Sequence, residues 1–190
     1  MQVRDLLKNS KTTSPYKIIG ENCSDFLLHS REQCLLKSLP KNYKDLHRVK
    51  IRQKKTTKIF DKTLNEAFNN NYYRLSQRSL FINGESSFIE ETHNNMESFY
   101  VFPINGFKFM YSKEVEHSSK NYKELFENVL IEFGYNKGQK LLTDVLRFTY
   151  NTTNLYEGIK SGAEIIIYNI PFYYAVRQSS IPYDDLLIAI

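Results

Sequence analysis

Residues 99–111, Phe99-Tyr100-Val101-Phe102-Pro103-Ile104-Asn105-Gly106-Phe107-Lys108-Phe109-Met110-Tyr111, decide the fold class. Two runs rich in aromatic and β-branched residues flank an Asn-Gly pair, the strongest short-range signal for a β-hairpin. Toward the C-terminus, Tyr122, Leu125, Phe126, Val129, Leu130 and Phe133 recur at helical spacing and stop at Gly134, a residue suited to a left-handed cap. Gly138–Phe148 predicts a second helix with Leu141, Leu142, Val145 and Leu146 inward, and Asn154–Lys160 a short third. Ser161-Gly162 breaks that pattern before the strand Glu164–Tyr168, and Asn169-Ile170-Pro171 predicts a second hairpin turn into Phe172–Val176.

Toward the N-terminus, Tyr72–Ile82 reads as extended, with a short helix from Ser86 to Glu91 between it and the aromatic hairpin. Phe60, Leu64 and Phe68 predict a helix over Lys58–Asn69, ended by the turn Asn69-Asn70-Asn71. A further helix is predicted from Cys23 to Leu39, with Ser24 or Asp25 as its cap and Pro40 as its stop. Helices, then strands, then helices, then strands argue for an α+β fold rather than a βαβ alternation. The expected organisation is a basic, mainly helical segment over 1–60. After it, over 61–190, comes a mixed domain of short antiparallel strands and hairpins with a helical insert, the whole forming one compact domain.

Composition narrows the class of protein. The chain has 190 residues, 41% of them hydrophobic and 25% charged, with 27 aromatics (14 Tyr and 13 Phe) against only 7 Gly and 5 Pro, which excludes a collagen-like or low-complexity polymer. Apolar runs are far shorter than the roughly 20 residues needed to span a bilayer, so a membrane partner is not expected. The opening residues lack the apolar run of a secretory signal, which predicts a protein that is not secreted. Cys23 and Cys34, read as lying 11 residues apart on one helix, are too distant for a disulfide and are expected to be buried or half-buried thiols. With His29 they give a spacing that does not converge on a tetrahedral ion, so no metal is expected.

Charge is regional. Residues 1–60 hold 14 Lys/Arg and 5 Asp/Glu, a net of +9, whereas the other 130 residues hold 12 and 16, a net of −4. In Arg48-Val49-Lys50-Ile51-Arg52-Gln53-Lys54-Lys55, an extended strand would put Val49 and Ile51 on one face and the basic residues on the other. Arg48, Lys50, Arg52, Lys54 and Lys55 are therefore candidates for binding a polyanion such as nucleic acid. The competing reading is an edge strand guarded by cations, or a solvated linker.

There is no glycine-rich phosphate loop, nucleophile elbow, Cys-x-x-Cys pair or His-Glu-x-x-His motif. One arrangement does combine the residue types of a site. Arg74 and Arg78 precede the apolar phrase Leu80-Phe81-Ile82-Asn83-Gly84, Ser86 follows, and Glu164 heads the apolar strand Glu164-Ile165-Ile166-Ile167.

That arrangement resembles the ADP-ribosyltransferase pattern, in which an arginine contacts the dinucleotide, a hydroxyl-bearing strand leads into a bracing helix, and a glutamate heads an apolar strand. Residues 78–112 are also similar to a group of small proteins encoded by tailed bacteriophages, with Tyr111-Ser112 where Trp-Ser is usual. The resemblance covers roughly residues 70–176. It implies NAD as cofactor, Arg74, Arg78, Asn83 and Ser86 as cofactor-binding residues, and Glu164 as the catalytic carboxylate. It also implies a host macromolecule as acceptor and location in the host cytoplasm or the virion. Departures are Asn83 in place of a Ser-Thr-Ser phrase and Gly162, two residues before Glu164, where arginine-modifying transferases carry Glu or Gln. Other readings stay open: a non-enzymatic virion or DNA-associated protein, or an inhibitor of a host protein acting by contact. In these, Glu164 is a strand-end carboxylate bonded to backbone amides, and Tyr168, Tyr173 and Tyr174 pack a core rather than stack on a nucleotide.

Overall fold

The computed structural model describes residues 14–51, 63, 65–68, 80–83, 95–114 and 120–190. In chain order the elements are α1 (Lys17–Asn22), α2 (Ser24–Ser30), β1 (Leu36–Pro40), β2 (Leu46–Lys50), β3 (Leu80–Asn83), β4 (Met96–Pro103) and β5 (Lys108–Tyr111). These are followed by α3 (Lys120–Phe133), α4 (Tyr135–Thr149), α5 (Leu155–Lys160), β6 (Glu164–Tyr168), β7 (Phe172–Arg177) and α6 (Tyr183–Ala189). The fold is α+β. Its seven strands form one antiparallel hydrogen-bonded array in the order β2-β7-β4-β1-β3-β6-β5.

That order carries the main correction. Neither predicted hairpin exists, because β4 pairs with β1 and β7 while β5 pairs with β6, and β6 pairs with β3 and β5 but not with β7. The two aromatic segments instead form one long ribbon bent in its middle. Phe99 faces Arg177 in the first half and Lys108 faces Tyr168 in the second. Nine residues forward on one chain therefore match nine residues back on the other, and the register continues unchanged through the bend.

The chain between β4 and β5 covers five Cα steps, which reach at most about 18 Å. The strand order puts four spacings between them, about 19 Å across a flat sheet. The bent ribbon, together with the single register pair joining β1 to β3, divides the array of described strands into a four-stranded leaf, β2-β7-β4-β1, and a three-stranded leaf, β3-β6-β5.

The bend occurs where the ladder loses its regular backbone. Gly106 and Asn169 have positive φ (80° and 68°), and Pro171 has no N–H to give. In place of a ladder bond, Asn169 Nδ2 donates to Gly106 O at 2.9 Å. Asn105 carries the corner onward to the helices: its N–H donates to Asn22 O at 2.7 Å and its Oδ1 accepts from Asp25 N at 3.0 Å, while Gly106 N donates to Asp25 Oδ2 at 2.9 Å. The Asn-Gly pair thus turns the chain from one leaf to the other and caps α2, whose own N-cap side chain makes no capping bond.

The predicted helix over Cys23–Leu39 is also corrected. It ends at Ser30 because Arg31 and Glu32 take left-handed φ values of 50° and 63°, with their N–H groups donating to Leu28 O and Leu27 O. Leu36 and Leu39 then belong to β1, so the first 60 residues contribute two strands to the four-stranded leaf and are not mainly helical in their described part. Both cysteines are buried free thiols. Of the predicted helix 58–69, residues 63 and 65–67 are helical. The turn 69–71, the extended residues 72–79 and the helix 86–91 lie outside the described residues.

Burial follows from the leaf arrangement. Ile165 and Ile167 of β6 join a large core with Phe26, Phe99, Phe102 and Val176, whereas Ile166 and Met110 join a second core with Phe126, Leu142, Leu146 and Tyr150 beneath α3 and α4. A strand buried on both faces reads as an unbroken apolar run, which is what Ile165-Ile166-Ile167 shows. The helices over 122–133 and 138–148 form as predicted, with Gly134 at φ 73° between them. Their inward set is narrower than the periodicity predicted: Leu142 and Leu146 are buried, but Leu141 is 44% exposed and Val145 38%. The buried stripe of α4 continues instead through Gly138, Gln139 and Thr143.

Candidate functional site

The two leaves meet a second time at the head of β6. Leu36, the first residue of β1, pairs with Asn83, the last of β3, and Asn83 pairs in turn with Glu164, the first of β6. Three strand ends from both leaves therefore converge on one carboxylate. Glu164 is half-buried, while the three isoleucines behind it are fully buried.

Local sequence explains how the carboxylate is presented. Asn154 caps α5, its Oδ1 accepting from Glu157 N at 3.2 Å, and Leu155 and Ile159 anchor the helix in the core. Gly158 sits against the face of Tyr111, where a Cβ would come within 2.7 Å of the ring. The helix ends at Ser161, and Gly162 at φ 70° turns the chain into β6. Tyr111 pairs with Ile165, the residue after Glu164, and with Asn151 on its other side. Its phenol pKa is raised by burial, with the Glu157 carboxylate adding to the shift, so it stays protonated at neutral pH. On α5 itself, the Tyr156 ring lies 4.9 Å from the Arg31 guanidinium.

The structure pairs Asn83, expected to bind cofactor, with Glu164, the expected catalytic carboxylate, at one register position. Arg74, Arg78 and Ser86 lie outside the described residues. The tyrosines resolve toward packing: Tyr173 and Tyr174 are buried at 3% and 7% exposure, and only Tyr168 is half-buried. Burial raises the Tyr173 pKa well above the usual tyrosine range, which fits a core phenol. Among the described residues no group of His, Cys, Asp and Glu could hold a metal ion, and no helix is long and apolar enough to cross a membrane.

Leu36, which joins β1 to β3, is the junction residue that sequence reasoning missed. Leu28 and Leu35 are seven apart and continue a helical stripe, so the only signal against a helix was the polar break Arg31-Glu32-Gln33.

The polyanion candidates divide similarly. Arg48 and Lys50 are exposed on β2, with Val49 and Ile51 packed toward the core as the alternation predicted. Arg52, Lys54 and Lys55 lie outside the described residues. Among these residues β2 is an edge strand, paired with β7 alone.

Comparison of the chain with protein-family models, curated proteins and solved structures finds no match.

Proposed function

We propose that the chain is an ADP-ribosyltransferase-like protein that uses NAD at the junction of β1, β3 and β6, with a host macromolecule as acceptor. The observation that carries this reading is the register pair Asn83–Glu164 at the meeting of the two leaves. It unites two residues far apart in sequence that the family resemblance separately assigns to the site. NAD supplies a nicotinamide–ribose bond whose cleavage develops positive charge on the sugar. Glu164 accepts a hydrogen bond from a ribose hydroxyl and stabilises that charge, an electrostatic role in which a half-buried carboxylate is more effective than an exposed one. Asn83 lies beside the same sugar, and Arg74 or Arg78 supplies the planar fork that suits a pyrophosphate.

The test is nicotinamide release from NAD by the purified chain, with Glu164→Gln and Glu164→Ala alongside. The expected result is NAD-dependent release that falls by at least about 100-fold in both variants while their thermal unfolding stays that of the parent, since removing one such stabilising group costs on the order of 10²–10³ in rate. Equal release by parent and variants would remove Glu164 from the chemistry.

A further inference from the structure

The edge of the four-stranded leaf farthest from β1 presents a fixed row of cations. Residues 41–58 contain eight Lys or Arg and a single acid, Asp45. In the described part of that stretch, Lys41, Lys44, Arg48 and Lys50 are all exposed.

The one acid of the stretch is paired with Arg177. Arg177 Nε lies 2.9 Å from Asp45 Oδ1, while another arm of the same guanidinium pairs with Glu97 and a third donates to Lys41 O at 3.0 Å and to Tyr43 O. This guanidinium, shared between Asp45 and Glu97, pins the 41–45 loop to the end of β7, and the exposed Lys41, Lys44, Arg48 and Lys50 leave the edge net basic.

The strand itself is held in place. Leu46, Val49 and Ile51 pack against the main core, and Arg48 lies 3.6 Å from the Phe172 ring. That stacking orients the guanidinium over one face of the ring and leaves its N–H groups as donors. Along a strand, Arg48 and Lys50 repeat every two residues, about 6.7 Å. Two nucleotide steps of one DNA strand advance about 6.8 Å along the helix axis.

From this juxtaposition we infer that the β2 edge and the 41–45 loop form a binding surface for a nucleic-acid phosphate backbone, without base recognition. A row of exposed cations on a strand anchored in the core, with its only acid paired to Arg177, fits a linear polyphosphate better than an acidic protein surface of mixed chemistry. The inference is independent of Glu164.

The test is fluorescence anisotropy of the full chain with labelled 20-base-pair duplexes of two unrelated sequences, from 50 to 200 mM salt. With four phosphate contacts the logarithm of affinity should fall against that of salt with a slope of about −3.6, equally for both sequences. Arg48→Gln/Lys50→Gln should reduce the slope by about 1.8, and the loop pair Lys41→Gln/Lys44→Gln by a similar amount, so that misfolding of either variant leaves the other as a test. Binding that does not change with salt, slopes unmoved in both folded variants, or no binding at 50 mM salt would overturn the inference. Displacement of the duplex by poly-glutamate at equal charge concentration would overturn it in favour of an acidic protein partner.

Discussion

The two leaves of the sheet meet at two places built on opposite plans. At the ribbon corner, Asn105, Gly106 and Asn169 exchange hydrogen bonds with each other's neighbours and with α2. At the β1–β3–β6 junction the contact among described residues is a single pair, Leu36 with Asn83, and the next position is a half-buried carboxylate. Polar groups that saturate one another stabilise a bend. Glu164 heads β6 at that junction and is the carboxylate that the proposed function uses. The corner is held by its own polar groups, and under the proposed reading the junction carries the function.

Substitutions can sharpen this contrast. The largest effect is expected from Gly158→Ala, whose Cβ would meet the Tyr111 ring at 2.7 Å. Overpacking of this kind should cost about 2 kcal/mol, and because Tyr111 pairs with the residue next to Glu164 it should lower both the thermal midpoint and any NAD turnover. Asn105→Ala removes the acceptor for Asp25 N and Ser24 Oγ and should cost about 1–2 kcal/mol in denaturant unfolding, with turnover per folded molecule unchanged. Gly106→Ala meets no atom within 4 Å but must hold φ at 80°, so a loss of about 1 kcal/mol from backbone strain alone is expected, again without change in turnover. A corner variant that lowered turnover while remaining folded would erase the distinction between the two places.

A smaller effect concerns pH. Burial pushes the Cys23 thiol from an ordinary value of 9.0 up to about 12, so the folded protein keeps the neutral form after the unfolded chain has ionised. The stability this group contributes is full below pH 9 and is lost as pH rises from 9 toward 12. Cys23→Ala, which also leaves a small cavity, should flatten unfolding stability against pH across that window. The native thiol should resist alkylation at pH 8 until the chain unfolds.

The strands and helices were legible where one local pattern acts alone. Glu164–Tyr168 forms the strand its apolar run predicts, α5 begins at its Asn154 cap, and α3 stops before Gly134. Pairing was not legible. Asn105-Gly106 has the composition of a hairpin turn, but composition records a need for positive φ and does not say whether the chain then returns along the same strand or bends into another sheet. Leu35 and Leu36 satisfied a helical period by coincidence, and the left-handed pair Arg31–Glu32, which ends α2, has no glycine to announce it. For the site, Glu164 stood out as a lone carboxylate on an apolar strand and Asn83 as part of a phrase, but their apposition depends on β3 pairing with β6, a contact between residues about 80 positions apart. The exposed faces of Leu141 and Val145 were misjudged because periodicity marks an apolar stripe without showing how wide a neighbour covers it.

The most direct test of the junction as the NAD site is an amide chemical-shift titration of the labelled protein with NAD, parent and Glu164→Gln together. The account predicts the largest shifts at Leu36, Asn83 and Glu164, saturating with NAD and lost or much weakened in the variant. No shifts at millimolar NAD, or shifts confined to the basic β2 edge and identical in the variant, would contradict it.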